Sequence, residues 1–358
     1  MNPSGVAICA PGARIESVNY ATLVHVINNV ARRMLWEMLK RGDVVALSIK
    51  DPILHFAVAL ALARIGIASI TAPARGLPRT VHINAVIADS ITAVGHAGRV
   101  LTADFGWMDG DGKPLSDLDL YRTEGTETCR IEFEEVEARA IALSHDLLLR
   151  RSDAAHRIGS LGNAKRVYCD LASGRTFELM LHTLSRGGTI FFGDDPEAMS
   201  QAFGLYRIQT MFARSDRLAS YLKFFEMRGD IQHRFECVTA ADPISKEFSE
   251  RVRMRMAPLL FTSYSTVQAG TIASAPAHRI EHVPGAVGWE VPGVEVEIVD
   301  RTGAHAAPGK EGRVRVRSSY AAPDYPAEGV ALRGDGYLET GDVGFLTEDR
   351  LLVILGRT

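Results

Sequence analysis

The chain has 358 residues, with 40 Lys and Arg against 43 Asp and Glu, a formal net charge of -3 and 46% hydrophobic residues. That balance excludes a disordered chain and a disulfide-stapled miniprotein, and without a basic excess it argues against nucleic-acid binding, where clustered Lys and Arg must face phosphate. Cys9, Cys129, Cys169 and Cys237 stand far apart with no C-x-x-C spacing, so neither a disulfide framework nor a zinc site is expected, and a reducing, cytoplasmic setting is.

The opening MNPSGVAICAPG lacks a basic stretch, and the apolar run from His55 to Ala72 is interrupted by Arg64, so neither a signal peptide nor a membrane span is expected. From Leu23 the residues Leu23, Val26, Ile27, Val30, Met34, Leu35 and Met38 recur at helical spacing, which predicts an amphipathic helix stopped by Gly42. Asp43 to Ile49 reads as a buried parallel strand, and Ile53 to Ile65 as an apolar helix closed by Gly66. The alternation returns with a strand at Arg166 to Cys169, a helix at Thr176 to Leu184, a strand at Gly188 to Phe192 and a helix at Pro196 to Tyr206. Arg251, Arg253 and Arg255 read as a solvated helix end or linker before a strand at Leu259 to Phe261. This is the pattern of an α/β protein with parallel sheets over 1–282. After Val283 the texture becomes β-rich, as in VEVEIVD at Val294 to Asp300 and GRVRVRS at Gly312 to Ser318, so a β-rich subdomain is placed at 283–358.

Four ordered stretches resemble the large N-terminal domain of the adenylate-forming superfamily, which comprises acyl-CoA synthetases, luciferases and peptide-synthetase adenylation domains. RGDVVAL at Arg41 to Leu47 resembles the strand after that family's first helix, and ALSHDLL at Ala142 to Leu148 the helix start after its phosphate loop. GAVGWEVPGVEVEIVD at Gly285 to Asp300 is similar to the entry into the β-rich subdomain. GYLETGDVGFLTEDRLLVILGR at Gly336 to Arg357 is similar to the ribose-binding aspartate motif and the arginine that opens the interdomain hinge. The resemblance implies two parallel-sheet lobes and a barrel-like β-rich subdomain, with AMP, or ATP with Mg²⁺, as ligand. It further implies that Asp342 accepts hydrogen bonds from both ribose hydroxyls, that Arg357 lies near the adenylate phosphate, that Tyr264 stacks on adenine, and that Ala240 and Ala241 in TAADP line the base. On residue chemistry alone, Gly341-Asp342 is also an ordinary turn pair and Tyr264 an ordinary half-buried tyrosine.

The sequence departs from this family at the sites that handle phosphate and metal. Counted back without gaps, the Gly/Ser/Thr-rich phosphate loop is replaced by IEFEEVEAR at Ile131 to Arg139, with Glu132, Glu134, Glu135 and Glu137 and no glycine. One like-charge pair about 4 Å apart costs about 4 kcal/mol at an effective dielectric near 20, so carboxylates there would repel a triphosphate. A gapped alternative uses Thr123 to Arg130 and recovers only Gly125 and two threonines. In the other motif, Val267 stands for an α-phosphate threonine and Gln268 for the glutamate that holds Mg²⁺, a metal that favours charged oxygen ligands. Ser173 falls nearest the place of an acyl-pocket histidine, and Arg139 is the one compensating cation identified. The sequence stops at Gly356-Arg357-Thr358, where the family's small C-terminal domain is expected to follow.

His145 after Ser144 has no G-x-S-x-G elbow around it and reads as a capping or surface residue, and the histidines lack H-E-x-x-H spacing. Neither zinc, NAD nor haem is expected. Two functions compete: a non-catalytic or strongly impaired relative that binds a small molecule or a partner protein, and a carboxylic acid adenylating ligase with a rearranged phosphate site and its C-terminal domain truncated or supplied in trans.

Overall fold

The computed structural model describes residues 2–72, 80–89, 99–113, 123–134, 139–155, 162–170, 175–229, 233–324 and 335–357. The chain forms two compact units, Met1–Leu149 with Ala322–Val330, and Arg150–Ala321 with Ala331–Thr358.

In the first unit, β1 (Val6–Cys9) and β2 (Ser17–Asn19) form an antiparallel hairpin. Helix α1 (Tyr20–Trp36) follows, capped by the Asn19 side chain on the Thr22 N–H at 2.7 Å, and buries Leu23, Val26, Val30 and Met34. It stops well before Gly42. Met38 takes a φ of +60°, Met38 N–H donates to Leu35 O at 3.0 Å and Leu39 N–H to Met34 O at 3.2 Å, a Schellman ending with methionine where glycine is usual. Next come β3 (Val44–Ser48), α2 (Pro52–Arg64), β4 (Ala68–Thr71), β5 (Ala85–Ala88), β6 (Arg99–Thr102), β7 (Thr128–Glu134) and β8 (Arg139–Ser144). The sheet order is β6-β5-β3-β4-β7-β8, parallel except for the antiparallel β7–β8 pair. Its core is aliphatic, with Val44, Ala46, Ile70, Val86 and Ile131 fully or nearly fully buried.

The division between units falls within α3 (His145–Ala154). It begins within Ala142 to Leu148, the stretch read as a helix start, with Ala142 to Ser144 still paired in β8 and Ser144 Oγ accepting the Leu147 N–H at 3.3 Å. The second unit alternates β9 (Arg166–Cys169), α4 (Thr176–Ser185), β10 (Thr189–Phe191), α5 (Pro196–Leu205), β11 (Thr210–Ala213), α6 (Ser215–Arg228), β12 (Cys237–Ala240), α7 (Lys246–Arg255) and β13 (Leu259–Thr266). Strands β10-β9-β11-β12-β13 are parallel neighbours. Tyr168 of β9 packs edge-to-face with Phe203 and Tyr221, and Phe203 with Tyr221 and Phe235, in a buried aromatic cluster between sheet and helices. Beyond β13 the pairing turns antiparallel through β14 (Gly270–Pro276), α8 (Ala277–Ile280), β15 (Ala286–Glu290), β16 (Val294–Val299), β17 (Gly312–Ser318), β18 (Leu338–Leu346) and β19 (Leu352–Arg357), in the order β13-β14-β15-β19-β18-β17-β16. The chain is thus an α/β protein with mixed sheets.

Candidate functional site

Alternate residues of β18 are buried, so Thr340 and Asp342 share its inward face with Leu338 and Leu346. Gly341 between them has a φ of +76°, which suits glycine. A carboxylate only 6% exposed, as Asp342 is, needs partners. The β18–β19 register sets Arg357 opposite it, and Arg357 Nε donates to Asp342 Oδ1 at 3.1 Å. The Tyr264 hydroxyl donates to Asp342 Oδ2, and the Asp342 N–H donates to Thr340 Oγ1 at 3.1 Å. Burial first, then the Asp342 charge, raises the Tyr264 phenol above its ordinary range, so it remains a protonated donor. Each carboxylate oxygen has two lone pairs, so either can take a further donor beside the one named. The Arg357 side chain is 39% exposed.

Tyr264 stands near the carboxyl end of β13, where the strand is bulged between Tyr264 and Ser265. On the neighbouring parallel strand Ala240 pairs with Thr262, and the Ala241 N–H donates to Ala213 O at 3.0 Å. Ala240 is fully buried and Ala241 half-buried, so two small residues sit at the carboxyl end of one parallel strand, the usual place for ligands in such sheets. Side-chain bonds join Tyr264, Asp342 and Arg357 directly. Gln268, buried in the turn between β13 and β14, is bound at its main-chain carbonyl.

That main-chain anchor is Arg151, which the sequence reading did not single out. Only 4% exposed, it donates from Nη2 to Gln268 O at 2.7 Å, from Nη1 to Val267 O at 3.0 Å, and from Nε and Nη2 to Tyr320 O at 2.9 and 2.8 Å. Glu178 on α4 balances it at 3.3 Å and also accepts Arg175 Nε at 3.2 Å. These side chains, with Thr271, Val291, Pro292 and Tyr320, line a cavity with room for about one water, about 20 Å³. The Thr271 hydroxyl is buried there without a hydrogen-bond partner among the described residues.

In the first unit, Ile131 to Glu134 and Arg139 lie on the antiparallel pair β7–β8. β7 and β8 stay paired as far as Glu134 opposite Arg139, leaving 135–138 between them, and Glu132 binds Arg130 Nε at 2.7 Å. Glu135, Glu137 and Ser173 lie outside the described residues, as does the side chain of Glu134. In the gapped alternative, Gly125 lies in the turn from Glu124 to Glu127 and packs against Asp146 of α3, whose N–H donates to Gly125 O at 2.8 Å, so that glycine serves a close approach to the helix.

A family model described as AMP-binding enzyme matches residues 139–325, more than half of the chain. The chain belongs to the AMP-binding enzyme family. Among curated proteins, it is 27% identical over 191 residues to 4-coumarate–CoA ligase-like 6 from Oryza sativa subsp. japonica, covering 51% of this chain and 32% of that protein. It is 30% identical over 130 residues to the mitochondrial acyl-coenzyme A synthetase ACSM4 from Homo sapiens, covering 34% and 22%. The matches thus span about a third or less of these relatives' length. Among solved structures, o-succinylbenzoate coenzyme A synthetase from Bacillus subtilis in complex with AMP superposes with a TM-score of 0.85 at 14% identity, covering 100% of this chain and 96% of that one. The amide bond synthetase McbA from Marinactinospora thermotolerans superposes with a TM-score of 0.77 at 23% identity, covering 99% and 77%. The fold is that of the large domain of adenylate-forming enzymes.

Proposed function

We propose that this AMP-binding family member binds AMP or an acyl adenylate in its second unit and is impaired in, or has lost, the Mg²⁺-dependent use of ATP. The observation that carries the reading is the Tyr264–Asp342–Arg357 cluster. It keeps a buried carboxylate with spare acceptor capacity for two ribose hydroxyls and a partly exposed guanidinium for one phosphate. Tyr264 and the Ala240–Ala241 strand end would bracket the base. Magnesium does not fit as well. Gln268 is a neutral ligand, and its carbonyl and that of Val267 are already bound by the Arg151 cation, which opposes a divalent ion at the same turn. In the first unit, the ladder that runs to Glu134 opposite Arg139 consumes main-chain N–H groups that a phosphate loop would aim at anionic oxygens.

The retained Asp342–Arg357 pair also supports a second reading, an acid–CoA ligase whose adenylation needs a C-terminal domain supplied in trans. Calorimetric titration separates the two. AMP is expected to bind with an affinity unchanged by a magnesium chelator, and ATP with Mg²⁺ to bind more weakly than AMP. Magnesium-dependent ATP binding with pyrophosphate release on adding carboxylic acids would establish the ligase, and absence of any AMP binding would overturn both readings.

A further inference from the structure

The first unit carries a cleft that the nucleotide reading does not use. It has a volume of about 570 Å³, within the range of small-molecule sites, and is lined by Arg32, Arg33, Trp36, Trp107, Asp109 and the glycines beside Trp107 and Asp109. Trp36, the last residue of α1, is 77% exposed, a large apolar ring left open to solvent. The Arg33 guanidinium lies 5.0 Å from the Trp36 ring and 5.8 Å from the Trp107 ring, with Glu37 at 2.8 Å completing its charge.

The opposite wall is held rigidly. Asn29 Nδ2 donates to Met108 O at 3.0 Å and Asn29 Oδ1 accepts the Gly112 N–H at 3.0 Å, while Asn28 Nδ2 donates to Gly112 O at 3.2 Å. Gly110 has a φ of +149°, and a Cβ there would meet the Asn29 side chain at 2.8 Å, so the loop approaches α1 as closely as glycine permits. Arg32 donates to Asp111 Oδ1 at 3.1 Å and to Lys113 O at 2.6 Å, yet its side chain is 43% exposed. A cleft already formed spends little of a ligand's binding free energy on ordering. Of the charged residues that line it, Arg32 and Arg33 are cationic and Asp109 is anionic, with Arg32 paired to Asp111 at 3.1 Å and Arg33 to Glu37 at 2.8 Å. Two guanidinium groups against one carboxylate in the lining favour an anion.

We propose that this cleft is a binding site for a small planar aromatic anion, its ring stacked on Trp36 and its anionic oxygens against Arg32. The exposed indole supplies stacking and the half-exposed guanidinium supplies charge-assisted hydrogen bonds.

The test is tryptophan fluorescence of the full chain titrated with 4-nitrobenzoate, an aromatic anion that quenches indoles. Two of the three tryptophans line the cleft, so saturable quenching is expected. Trp36→Ala, at an exposed helix end, should weaken binding at least tenfold while Trp107 still reports, and Arg32→Gln should weaken it about tenfold, the scale of one hydrogen bond to a charged group. Nitrobenzene, which keeps the ring and lacks the carboxylate, should bind about tenfold more weakly than 4-nitrobenzoate. Quenching that does not saturate, that survives Trp36→Ala unchanged, or that is as tight with nitrobenzene would overturn the assignment.

Discussion

Replacing Arg151 by methionine should destabilise the second unit more than any single surface change. The guanidinium serves one carboxylate, Glu178, and three main-chain carbonyls, those of Val267, Gln268 and Tyr320. Removing one partner of a buried ion pair costs about 3–5 kcal/mol, and each buried acceptor stripped of its donor adds about 1–3 kcal/mol, part of which relaxation recovers. Methionine refills most of the volume, and Arg175 keeps one bond to Glu178, so a net loss of about 4 kcal/mol is expected. Against a typical stability of about 5–15 kcal/mol that is a large fraction. Urea unfolding followed by Trp289, in a Trp36→Phe, Trp107→Phe background where it is the remaining indole, reads this unit by itself. Because the lost bonds hold the turn that bears Gln268, AMP affinity should fall about tenfold as well. Arg151→Lys should not rescue it, since a single ammonium cannot reproduce a planar fork that reaches four acceptors. A loss below about 1 kcal/mol with unchanged AMP affinity would refute the view that this cation supports the turn.

Three further outcomes follow from the same geometry. His55 is 9% exposed, and burial first, then the Arg130 charge, lowers its pKa from about 6.5 to about 3, so the folded state keeps it neutral. Its contribution is complete above pH 6.5 and is lost as pH falls toward 3, about 2 kcal/mol by pH 5; His55→Gln should flatten the acid limb of stability against pH, and an unaltered slope refutes this. Asp342→Asn should weaken AMP binding by about tenfold or more in calorimetry, whereas Tyr264→Phe, which removes a donor and leaves the carboxylate acceptors in place, should weaken it less; the reverse ranking would remove Asp342 from the ribose role. Thr271→Val deletes a buried hydroxyl that strands no protein partner, so its thermal stability should stay within about 1 kcal/mol of the parent, and a loss above about 2 kcal/mol would mean the hydroxyl is bonded.

Much of the architecture could be read from periodicity because it depends on short-range patterns. The Leu23–Met34 face, the helix at Ile53 to Ile65 and the alternating strands at Val294 to Asp300 and Gly312 to Ser318 each follow from residues within a turn or two of one another. The early end of α1 escaped because Met38 takes a conformation that sequence assigns to glycine, here at Gly42. The helix start within Ala142 to Leu148 was legible, but the strand before it depends on a partner, Thr128 to Glu134, that lies a hairpin away.

The site divides along the same line. Asp342 and Arg357 are 15 residues apart on neighbouring strands, so one local register brings them together and one contiguous motif records them. Arg151 meets Glu178, Val267, Gln268 and Tyr320 across separations of 27, 116, 117 and 169 residues, and no spacing along the chain announces such a clamp. The two kinds of feature also differ in what the fold demands of them. The carboxylate of Asp342 accepts from Tyr264 and Arg357, and losing it would take this acceptor from the buried Tyr264 hydroxyl, so it has a structural use independent of any ligand. A phosphate loop has no such second use, since a paired hairpin closes the sheet edge at least as well as a glycine-rich nest. On the proposed reading, a nucleoside site can therefore outlast the triphosphate machinery without any loss of fold.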